Sequence, residues 1–446
     1  MSSAADVVVI GGGPGGSVCA AELARKGRST IVLERAAFPR FHLGESLLPQ
    51  SLPVLEEIGV LDAVKARFIE KHGACFHDDR RGKKERFAFD AAWKPAVAHA
   101  FQVPRDAFDA LLLGHARACG AEVRERWTAT RVVTDERGRA VGVDAIAADG
   151  ASTRIDARFV VDASGRAALT AHAAGATTKI AGLDQTALYA HYEGVPRQDG
   201  DLAGDIDIVL FGSGLPASGE GGTASRDAAS GWAGRGERPN WFWFIPFEDG
   251  RTSVGAVVSR AWMRDRRARL GAAADVTTSL FDVAVSESST AAQLLAGATR
   301  LWPRVEATAD FSYRVGATHG DGWLAVGDAG GFIDPLFSTG AHLAITGGKL
   351  AADAVARALD APDDERRVVG AWDARVRSAA ETFILAVQAF YAGPLVDYLF
   401  AEDKHTALRR SITSLLAGDV YSEAVWLRDT RLRLQEMLAS VDAGAG

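Results

Sequence analysis

Near its start the chain carries the run Asp6-Val7-Val8-Val9-Ile10, which is followed directly by Gly11-Gly12-Gly13-Pro14-Gly15-Gly16. The apolar run is typical of a buried parallel strand. Gly11 permits a tight turn, Gly13 lets the backbone approach a pyrophosphate, and Gly16 lets a helix pack closely on the strand. We therefore predict a dinucleotide-binding α/β domain at the start of the chain.

The residues that follow strengthen this prediction. Residues 17–26 read as a helix that Gly27 ends, and residues 29–33 read as a second strand. Glu34, at the end of that strand, is placed to accept hydrogen bonds from ribose hydroxyls. The N-terminus of the helix offers free N–H groups and a positive dipole end to a phosphate. Together these elements favour a nucleotide site over a glycine-rich turn without a ligand.

Composition limits the classes of function. The 446 residues favour two or three domains, and the net charge of −7 argues against a nucleic-acid-binding protein. The three cysteines, Cys19, Cys75 and Cys119, lie in no metal-binding or redox spacing. We therefore expect reduced thiols, no metal site and a cytoplasmic location. We also expect no signal peptide and no transmembrane segment, because no apolar run of about 18 residues occurs.

The middle of the chain is rich in strands, and its end is helical. Val, Ile and aromatic content predicts a mostly antiparallel sheet, a wall for a substrate, from the segments 187–192, 206–211, 241–247 and 252–258. Glycine-rich residues 212–239 read as a loop, either a lid or a passive insertion. The spacing of Phe383, Val387 and Phe390 predicts a core-facing helix stripe, which Gly393-Pro394 ends. Two further predicted helices cover residues 401–417 and 424–438.

Further segments carry a family resemblance: Gly44-Glu45-Ser46, Gln102-Val103-Pro104-Arg105, Val160-Val161-Asp162-Ala163-Ser164-Gly165 and Trp323-Leu324-Ala325-Val326-Gly327-Asp328-Ala329. With them the chain resembles the FAD-dependent enzymes that include para-hydroxybenzoate hydroxylase, geranylgeranyl reductase and the flavin-dependent halogenases. The resemblance implies a Rossmann-type FAD-binding domain, like that of glutathione reductase, in which Ser46, Arg105 and Asp328 contact FAD. The predicted domains are 1–75, 99–180 and 310–360 for FAD binding, 76–98 and 181–309 for the substrate-side β-sheet, and 361–446 for the helical C-terminal region.

Two motifs separate the members of this group. Trp241-Phe242-Trp243-Phe244-Ile245-Pro246 matches WxWxIP of the halogenases, although geranylgeranyl reductases carry a similar stretch and core packing alone is its commonest meaning. Residues 332–340, Phe-Ile-Asp-Pro-Leu-Phe-Ser-Thr-Gly, fit the halogenase pattern FxxPxxSxG, where reductases have Pro-x-x-Gly-Gly-Gly. We call residues 332–340 the halide turn. The chain thus resembles the halogenases of the phenol and pyrrole type.

The halogenase resemblance implies roles for residues of both motifs. Trp241, Trp243, Pro335 and Phe337 are expected near the flavin and substrate. Ser338, Thr339 and Gly340 are expected to bind halide, with Gly340 also beside the cofactor. A concave turn of amides at a helix N-terminus suits an anion, and capping of that helix by Ser338 or Thr339 is compatible with this role.

A lysine completes the chemistry that the resemblance implies. Halogenases use FADH2 from a separate flavin reductase, O2 and chloride or bromide to make hypohalous acid, which a lysine holds next to the arene. The pattern Lys71-His72-Gly73-Ala74 resembles the segment that carries this lysine, so Lys71 is the predicted catalytic residue. Burial of an amine lowers its pKa and makes it nucleophilic. An aromatic monooxygenase or a geranylgeranyl-reductase-like oxidoreductase is the alternative.

The substrate class follows from one position of the halide turn. Tryptophan halogenases have a glutamate before the serine, where this chain has Phe337. We therefore expect a phenol or a pyrrole, free or tethered to an acidic carrier protein. The cations Arg80, Arg81, Lys83, Lys84 and Arg86 form either a docking patch for that carrier or a solvated hairpin. The sequence leaves the arene, the halide preference and the oligomeric state open.

Overall fold

A computed structural model describes residues 3–94, 97–173, 177–212, 231–232, 238–271, 274–402 and 405–444. The chain divides into two compact units. Unit 1 comprises Met1–Ala66, Val103–Ile180 and Ser312–Ala380, and unit 2 comprises Arg67–Gln102, Ala181–Phe311 and Glu381–Gly446. Most of the predicted loop at 212–239 lies outside the described residues. The domain ranges predicted from the sequence stay a prediction.

Unit 1 is built around the predicted first strand. Ser3–Ile10 lies between Ser152–Asp162 and Thr30–Glu34 and runs parallel to both. Val7, Val8 and Val9 are fully buried, as expected where both faces of a parallel sheet are covered. The main sheet has the order His319–Gly320, Trp323–Ala325, Ser152–Asp162, Ser3–Ile10, Thr30–Glu34 and Glu122–Glu125, with Ala140–Ile146 paired to Ser152–Asp162 and Thr128–Thr134 to Ala140–Ile146.

The remaining elements of unit 1 are a small sheet and the helices. The small sheet consists of Thr177–Lys179, Tyr313–Val315 and Gly331–Phe332. The α-helices are Pro14–Arg25, Leu52–Glu57, Leu61–Lys65, Arg105–Ala118, Leu169–Ala173, Thr339–Asp360 and the first part of Glu365–Ala392. The 3-10 helices are Pro49–Ser51, Gly165–Ala167, Gly327–Gly330 and Pro362–Asp364.

Glycines allow two backbone contacts that hold this unit together. A Cβ on Gly16 would lie 2.0 Å from the carbonyl oxygen of Gly11, so the first helix can meet the first strand only at a glycine. A Cβ on Gly348 would lie 2.4 Å from the carbonyl oxygen of Gly15. Gly11 also has a φ of 99°, which a residue with a side chain rarely adopts.

Unit 2 contains the predicted antiparallel sheet. Its strands are, in order, Thr299–Arg300, Gln185–Glu193, Thr252–Ser259, Asn240–Pro246, Ile206–Phe211, Gly73–Asp78 and Lys83–Ala88, with Glu306–Ala309 also paired to Gln185–Glu193. The four predicted strands are confirmed with small differences at their ends. The sheet is not wholly antiparallel, because Ile206–Phe211 runs parallel to Gly73–Asp78. A separate two-stranded sheet pairs Ile69–Lys71 with Ala100–Gln102, and 3-10 helices cover Phe89–Ala91 and Gly200–Leu202.

Besides the short helix Pro394–Leu399, three helices of unit 2 were not predicted: Arg260–Leu270, Val276–Ser286 and Ser289–Leu295. They join one hydrophobic cluster with Phe242 and Phe244 of the sheet through Trp262 and Phe281, among others. The first of these helices, RAWMRDRRARL, is too highly charged to show an apolar stripe. The signal that would have revealed them is capping, since Ser259, Asp275 and Ser288 each accept a backbone hydrogen bond at a helix start.

The helical end of the chain follows the prediction. Glu365–Ala392 buries Phe383, Val387 and Phe390 completely and ends before Gly393, whose φ is 106°. Pro394–Leu399, Thr406–Leu416 and Val425–Gly444 follow. Among the described residues, no helix combines the length and apolarity needed to cross a membrane.

The close contact of Gly255 with Trp243 gives a test of the sheet. A Cβ on Gly255 would lie 2.2 Å from the indole ring of Trp243, so Gly255→Ala must displace that ring. We expect a loss of about 1–3 kcal/mol in the free energy of unfolding, typical of an overpacked core. Denaturant unfolding followed by tryptophan fluorescence measures it. Gly297→Ala is the control, because no heavy atom lies within 4 Å of its added Cβ; equal effects of both changes would contradict the contact.

Candidate functional site

The glycine turn of unit 1 forms a site that is suited to a nucleotide. The N–H of Gly12 donates to Oε2 of Glu34 at 2.8 Å, and the N–H of Ala36 donates to Oε1 at 2.8 Å. These bonds fix the buried carboxylate and leave lone pairs that ribose hydroxyls can use. An added Cβ on Gly13 would meet only Nη2 of Arg40, at 3.7 Å, so the backbone there is open to a phosphate. The site therefore fits a dinucleotide.

Arg105 and Asp328, which were both predicted to contact FAD, are far apart in the sequence, but their charges interact in the folded chain. The guanidinium of Arg105 donates to both carboxylate oxygens of Asp109, at 2.7 and 3.0 Å, and to the carbonyl of Leu43 at 2.9 Å. Burial raises the pKa of Asp328 to about 6, although nearby arginines, Arg105 among them, lower it. Such a carboxyl is suited to hydroxyl donors, as a ribityl chain offers. Ser46 is buried, with 3% of its surface exposed.

The halide turn is closed by its own hydrogen bonds. Oδ1 of the buried Asp334 accepts from the N–H of Leu336 at 2.9 Å, and the N–H of Ser338 donates to the carbonyl of Pro335 at 3.0 Å. Ser338 has a φ of 55°, in the left-handed region that few residues other than glycine adopt. Strain of this kind is commonly held at functional sites.

The helix that follows the halide turn, Thr339–Asp360, starts without the predicted side-chain cap. Within the described part of the chain, Ser338 forms no side-chain cap hydrogen bond. The first N–H groups of a helix, here those of Thr339 and Gly340, have no acceptor one turn earlier and carry the positive end of the dipole. The ring of Phe332 packs 3.1 Å from where a Cβ of Gly340 would be, and Phe337 is 4% exposed. The arrangement offers an anion backbone donors in an apolar setting.

Lys71 lies in unit 2, at the end of the strand Ile69–Lys71 and opposite Ala100. Only 2% of its surface is exposed. Nζ lies 5.3 Å from the ring centroid of Phe89. Burial lowers the pKa of Lys71 to about 7, against the opposing effect of the Asp205 carboxylate. Near neutral pH the amine is therefore present in both charged and uncharged forms.

Trp241 and Trp243 lie on one face of the unit 2 sheet, with ring centroids 6.0 Å apart. Their indole N–H groups donate to the phenol oxygen of Tyr391 at 2.9 Å and to Oγ of Ser253 at 3.1 Å. Phe242 and Phe244 point to the other face and pack in the hydrophobic cluster. Tyr391 was not predicted, because a hydrogen bond between a strand and a distant helix leaves no pattern along the chain.

The basic residues 80–86 are engaged within unit 2. They lie in and around the turn of the hairpin formed by Gly73–Asp78 and Lys83–Ala88. Arg81 pairs with Asp397, Lys83 with Glu402 at 3.2 Å, and Arg86 with Asp205 at 2.7 Å. Arg80 stacks over the ring of Trp232. These contacts favour a structural role for the hairpin over a docking patch. In the described part of the chain, no group of three or more His, Cys, Asp or Glu side chains could hold a metal ion.

The fold and the nucleotide site together define an FAD-dependent enzyme. Residues 4–193 match the family model for an FAD binding domain, and residues 233–415 match the model for tryptophan halogenase. The flavin-dependent halogenase armH4 of Armillaria mellea is 30% identical over 403 residues, which is 87% of this chain and 72% of that protein. The chain belongs to the flavin-dependent halogenases.

Other relatives cover almost the whole chain. The 1H-pyrrole-2-carbonyl-peptidyl-carrier protein chlorinase of Pseudomonas fluorescens is 28% identical over 98% of this chain and 94% of its own length. The solved structure of the flavin-dependent brominase Bmp2 superposes with a TM-score of 0.81 and 25% identity, covering 99% of this chain and 100% of that one. The predicted family, fold class, enzyme class and use of FAD and halide are confirmed. The monooxygenase and reductase alternatives are disfavoured.

The Glu34 carboxylate gives a test of the nucleotide site. Glu34→Ala removes the acceptor that the ribose needs and releases the turn held through Gly12. Loss of hydrogen bonds to a charged group costs about 1.5–3 kcal/mol, so we expect FAD affinity to fall roughly 10- to 100-fold. Quenching of FAD fluorescence on titration measures it. Glu125→Ala is the control, since Glu125 also accepts a backbone N–H, that of Phe38, from a neighbouring strand; an equal loss there would point to general destabilisation.

Proposed function

We propose that this halogenase uses FADH2, O2 and chloride or bromide to halogenate an electron-rich arene, a pyrrole or phenol presented by a carrier protein, with Lys71 relaying hypohalous acid. The observation that carries the proposal is a lysine buried to 2% exposure within the Lys-x-Gly-Ala segment. A buried lysine that titrates near neutral pH is uncommon outside functional sites.

The cofactor and halide would be held by residues of unit 1. Reduced FAD, when bound, supplies with O2 the oxidising power that converts halide to hypohalous acid. Gly11, Gly13 and Gly16 would receive the pyrophosphate at the helix N-terminus. Glu34 would accept hydrogen bonds from the ribose hydroxyls of FAD, and Asp328 would accept them from the ribityl hydroxyls. Ser46, Arg105 and Gly340 would also contact FAD. The first N–H groups of the helix that follows Ser338, those of Thr339 and Gly340, would hold the halide.

Lys71 would act on hypohalous acid in one of two protonation states. As a free amine, its Nζ attacks the halogen; the N–halogen bond forms, the O–halogen bond breaks, and the leaving hydroxide takes a proton from the nitrogen and departs as water. The arene carbon then takes the halogen, the electron pair returns to nitrogen, and the proton lost by the arene restores the amine. As an ammonium, Nζ instead donates a hydrogen bond to the oxygen of hypohalous acid. The pKa near 7 supports either form at neutral pH.

The substrate class rests on the halide turn and on one relative. Phe337, buried and apolar, stands where tryptophan halogenases have a glutamate, which argues against free tryptophan. Pro335 lies in the same turn as Phe337. Trp241 and Trp243 would form an aromatic wall of the substrate site. An arene that needs no carboxylate for activation, such as a pyrrole or a phenol, fits better. The pyrrole-2-carbonyl carrier protein chlorinase, similar over nearly its whole length, supports a tethered pyrrole.

The proposal includes a partner and a location. A separate flavin reductase would supply FADH2, as the membership in the flavin-dependent halogenases suggests. The cysteines Cys19, Cys75 and Cys119 are free thiols, which supports a cytoplasmic enzyme.

Removal of the amine tests the relay. Lys71→Ala should lower halogenation at least 100-fold, because it removes the amine that would hold hypohalous acid, while FADH2 and O2 are still consumed. Product is measured by mass spectrometry and O2 by electrode, with a flavin reductase supplying FADH2. Lys84→Ala, on the exposed hairpin, is the matched control and should keep activity. Halogenation retained by Lys71→Ala would move the role elsewhere.

The substrate class is tested with a panel. We expect chlorination or bromination of a pyrrole-2-carbonyl group on a peptidyl carrier protein, and no product from free tryptophan. Free pyrrole-2-carboxylate and free phenols distinguish tethered from free substrates. Hydroxylated product without halogen, or efficient halogenation of tryptophan, would contradict the proposal.

A further inference from the structure

The turn before the strand Ile206–Phe211 is locked against the strand that carries Lys71. The side-chain amide of Gln102 donates to the carbonyl of Gly204 at 2.9 Å. A Cβ on Gly204 would lie 1.9 Å from the carbonyl oxygen of Glu70, so the two backbones touch. The turn is thereby held against both strands of the two-stranded sheet, Ile69–Lys71 and Ala100–Gln102.

This turn presents a buried carboxylate to the lysine strand. The side chain of Asp205 has 0% of its surface exposed. Its Oδ1 accepts from the N–H of His72, the residue after Lys71, at 2.9 Å. Its Oδ2 accepts from Nε of Arg86 at 2.7 Å. The carboxylate of Asp205 thus links the backbone of His72, next to Lys71, to the side chain of Arg86, which is 30% exposed.

We propose that Asp205 and Arg86 are positioning residues for the halogenation reaction: the ion pair holds the Lys71 strand in place and sets how much of the Lys71 amine is uncharged. The inference rests on the proposed role of Lys71, which it extends by naming the groups that tune it.

The two partners act on the amine in opposite directions. The negative charge of Asp205 favours the ammonium form of Lys71, against the effect of burial. Arg86 donates from Nε to the same carboxylate at 2.7 Å, so on this proposal its positive charge limits the effect of Asp205 on the amine. Phe89 and Ala100, which face Lys71 from the neighbouring turn and strand, carry no charge.

Glu70, His72 and His99 are titratable groups on or next to the strands around Lys71. Glu70, on the same strand, pairs with Nε2 of His72 at 3.2 Å, and the ring of His72 packs 5.9 Å from that of His99. Asp205 is the charged group whose field acts on the amine. Burial lowers the pKa of Lys71 and Asp205 raises it, and the proposal adds Arg86 as the group that limits the effect of Asp205.

The pH profile of halogenation separates tuning from a merely structural role. Asp205→Asn keeps an acceptor for the N–H of His72 but removes the negative charge, so the midpoint attributable to Lys71 should shift to lower pH. Arg86→Met leaves the charge of Asp205 unbalanced, so the midpoint should shift to higher pH. Each shift is expected to be about half a unit to one unit. Loss of packing alone would lower both rates without moving the midpoints apart.

Matched variants and a second readout complete the test. Asp207→Asn is the control, because Asp207 lies two residues after Asp205 and pairs with His77 at 2.6 Å instead. The midpoint of its pH profile should stay where it is in the unchanged enzyme. Among the Arg86 variants, Arg86→Lys should shift the midpoint least, because it keeps the positive charge. Competitive acetylation of the FAD-free protein across pH, read by mass spectrometry on the peptide that contains Lys71, gives the midpoint without turnover. Because Arg86 is partly exposed, its variants test the inference even if Asp205→Asn does not fold.

The outcomes separate this inference from the proposed function. Opposite shifts of the two midpoints support the ion pair. Shifts in the same direction, or none, in an enzyme that still depends on Lys71 overturn it and leave the proposed function intact. Halogenation that survives Lys71→Ala overturns the proposed function itself.

Discussion

The contact of two glycine backbones, at Gly15 and Gly348, governs the geometry of unit 1. A Cβ on Gly348 would lie 2.4 Å from the carbonyl oxygen of Gly15, so the first helix and the helix Thr339–Asp360 meet without side chains between them. The N-terminus of the first helix belongs to the nucleotide turn, and that of the second belongs to the halide turn. Close packing of the two helices therefore determines where the two helix ends that we propose to bind anions lie relative to each other.

The second constraint is the burial of an amine. A lysine removed from water loses much of the solvation of its charge, and the protein accommodates it by letting the pKa of Lys71 fall to about 7. The Asp205 carboxylate favours the charged form of the amine. Asp205 is itself paired with Arg86, which on our proposal limits this effect. The same burial that makes the site costly to build would make the amine usable in the proposed relay.

The prediction from sequence succeeded where a local pattern has a local cause. The strand, glycine turn and helix at residues 6–26 are confirmed, as are the stripe of Phe383, Val387 and Phe390 and the break at Gly393. It failed where the cause is distant. The charged helix Arg260–Leu270 is stabilised through Trp262, which packs on a sheet formed elsewhere in the chain. Of the two residues predicted to cap the helix Thr339–Asp360, Ser338 forms no such hydrogen bond and adopts a left-handed conformation inside the turn.

The sequence by itself determined the dinucleotide turn, the family to which the chain belongs, and which residues are candidates for the site, because these depend on residue types at short spacing. Only the tertiary structure decided that Asp205, 134 positions after Lys71, lies beside it and that Arg86 balances its charge. It also decided that the cations near residue 80 pair within unit 2. Burial and charge pairing between distant segments depend on how strands are ordered in a sheet, and that order leaves no trace in local spacing.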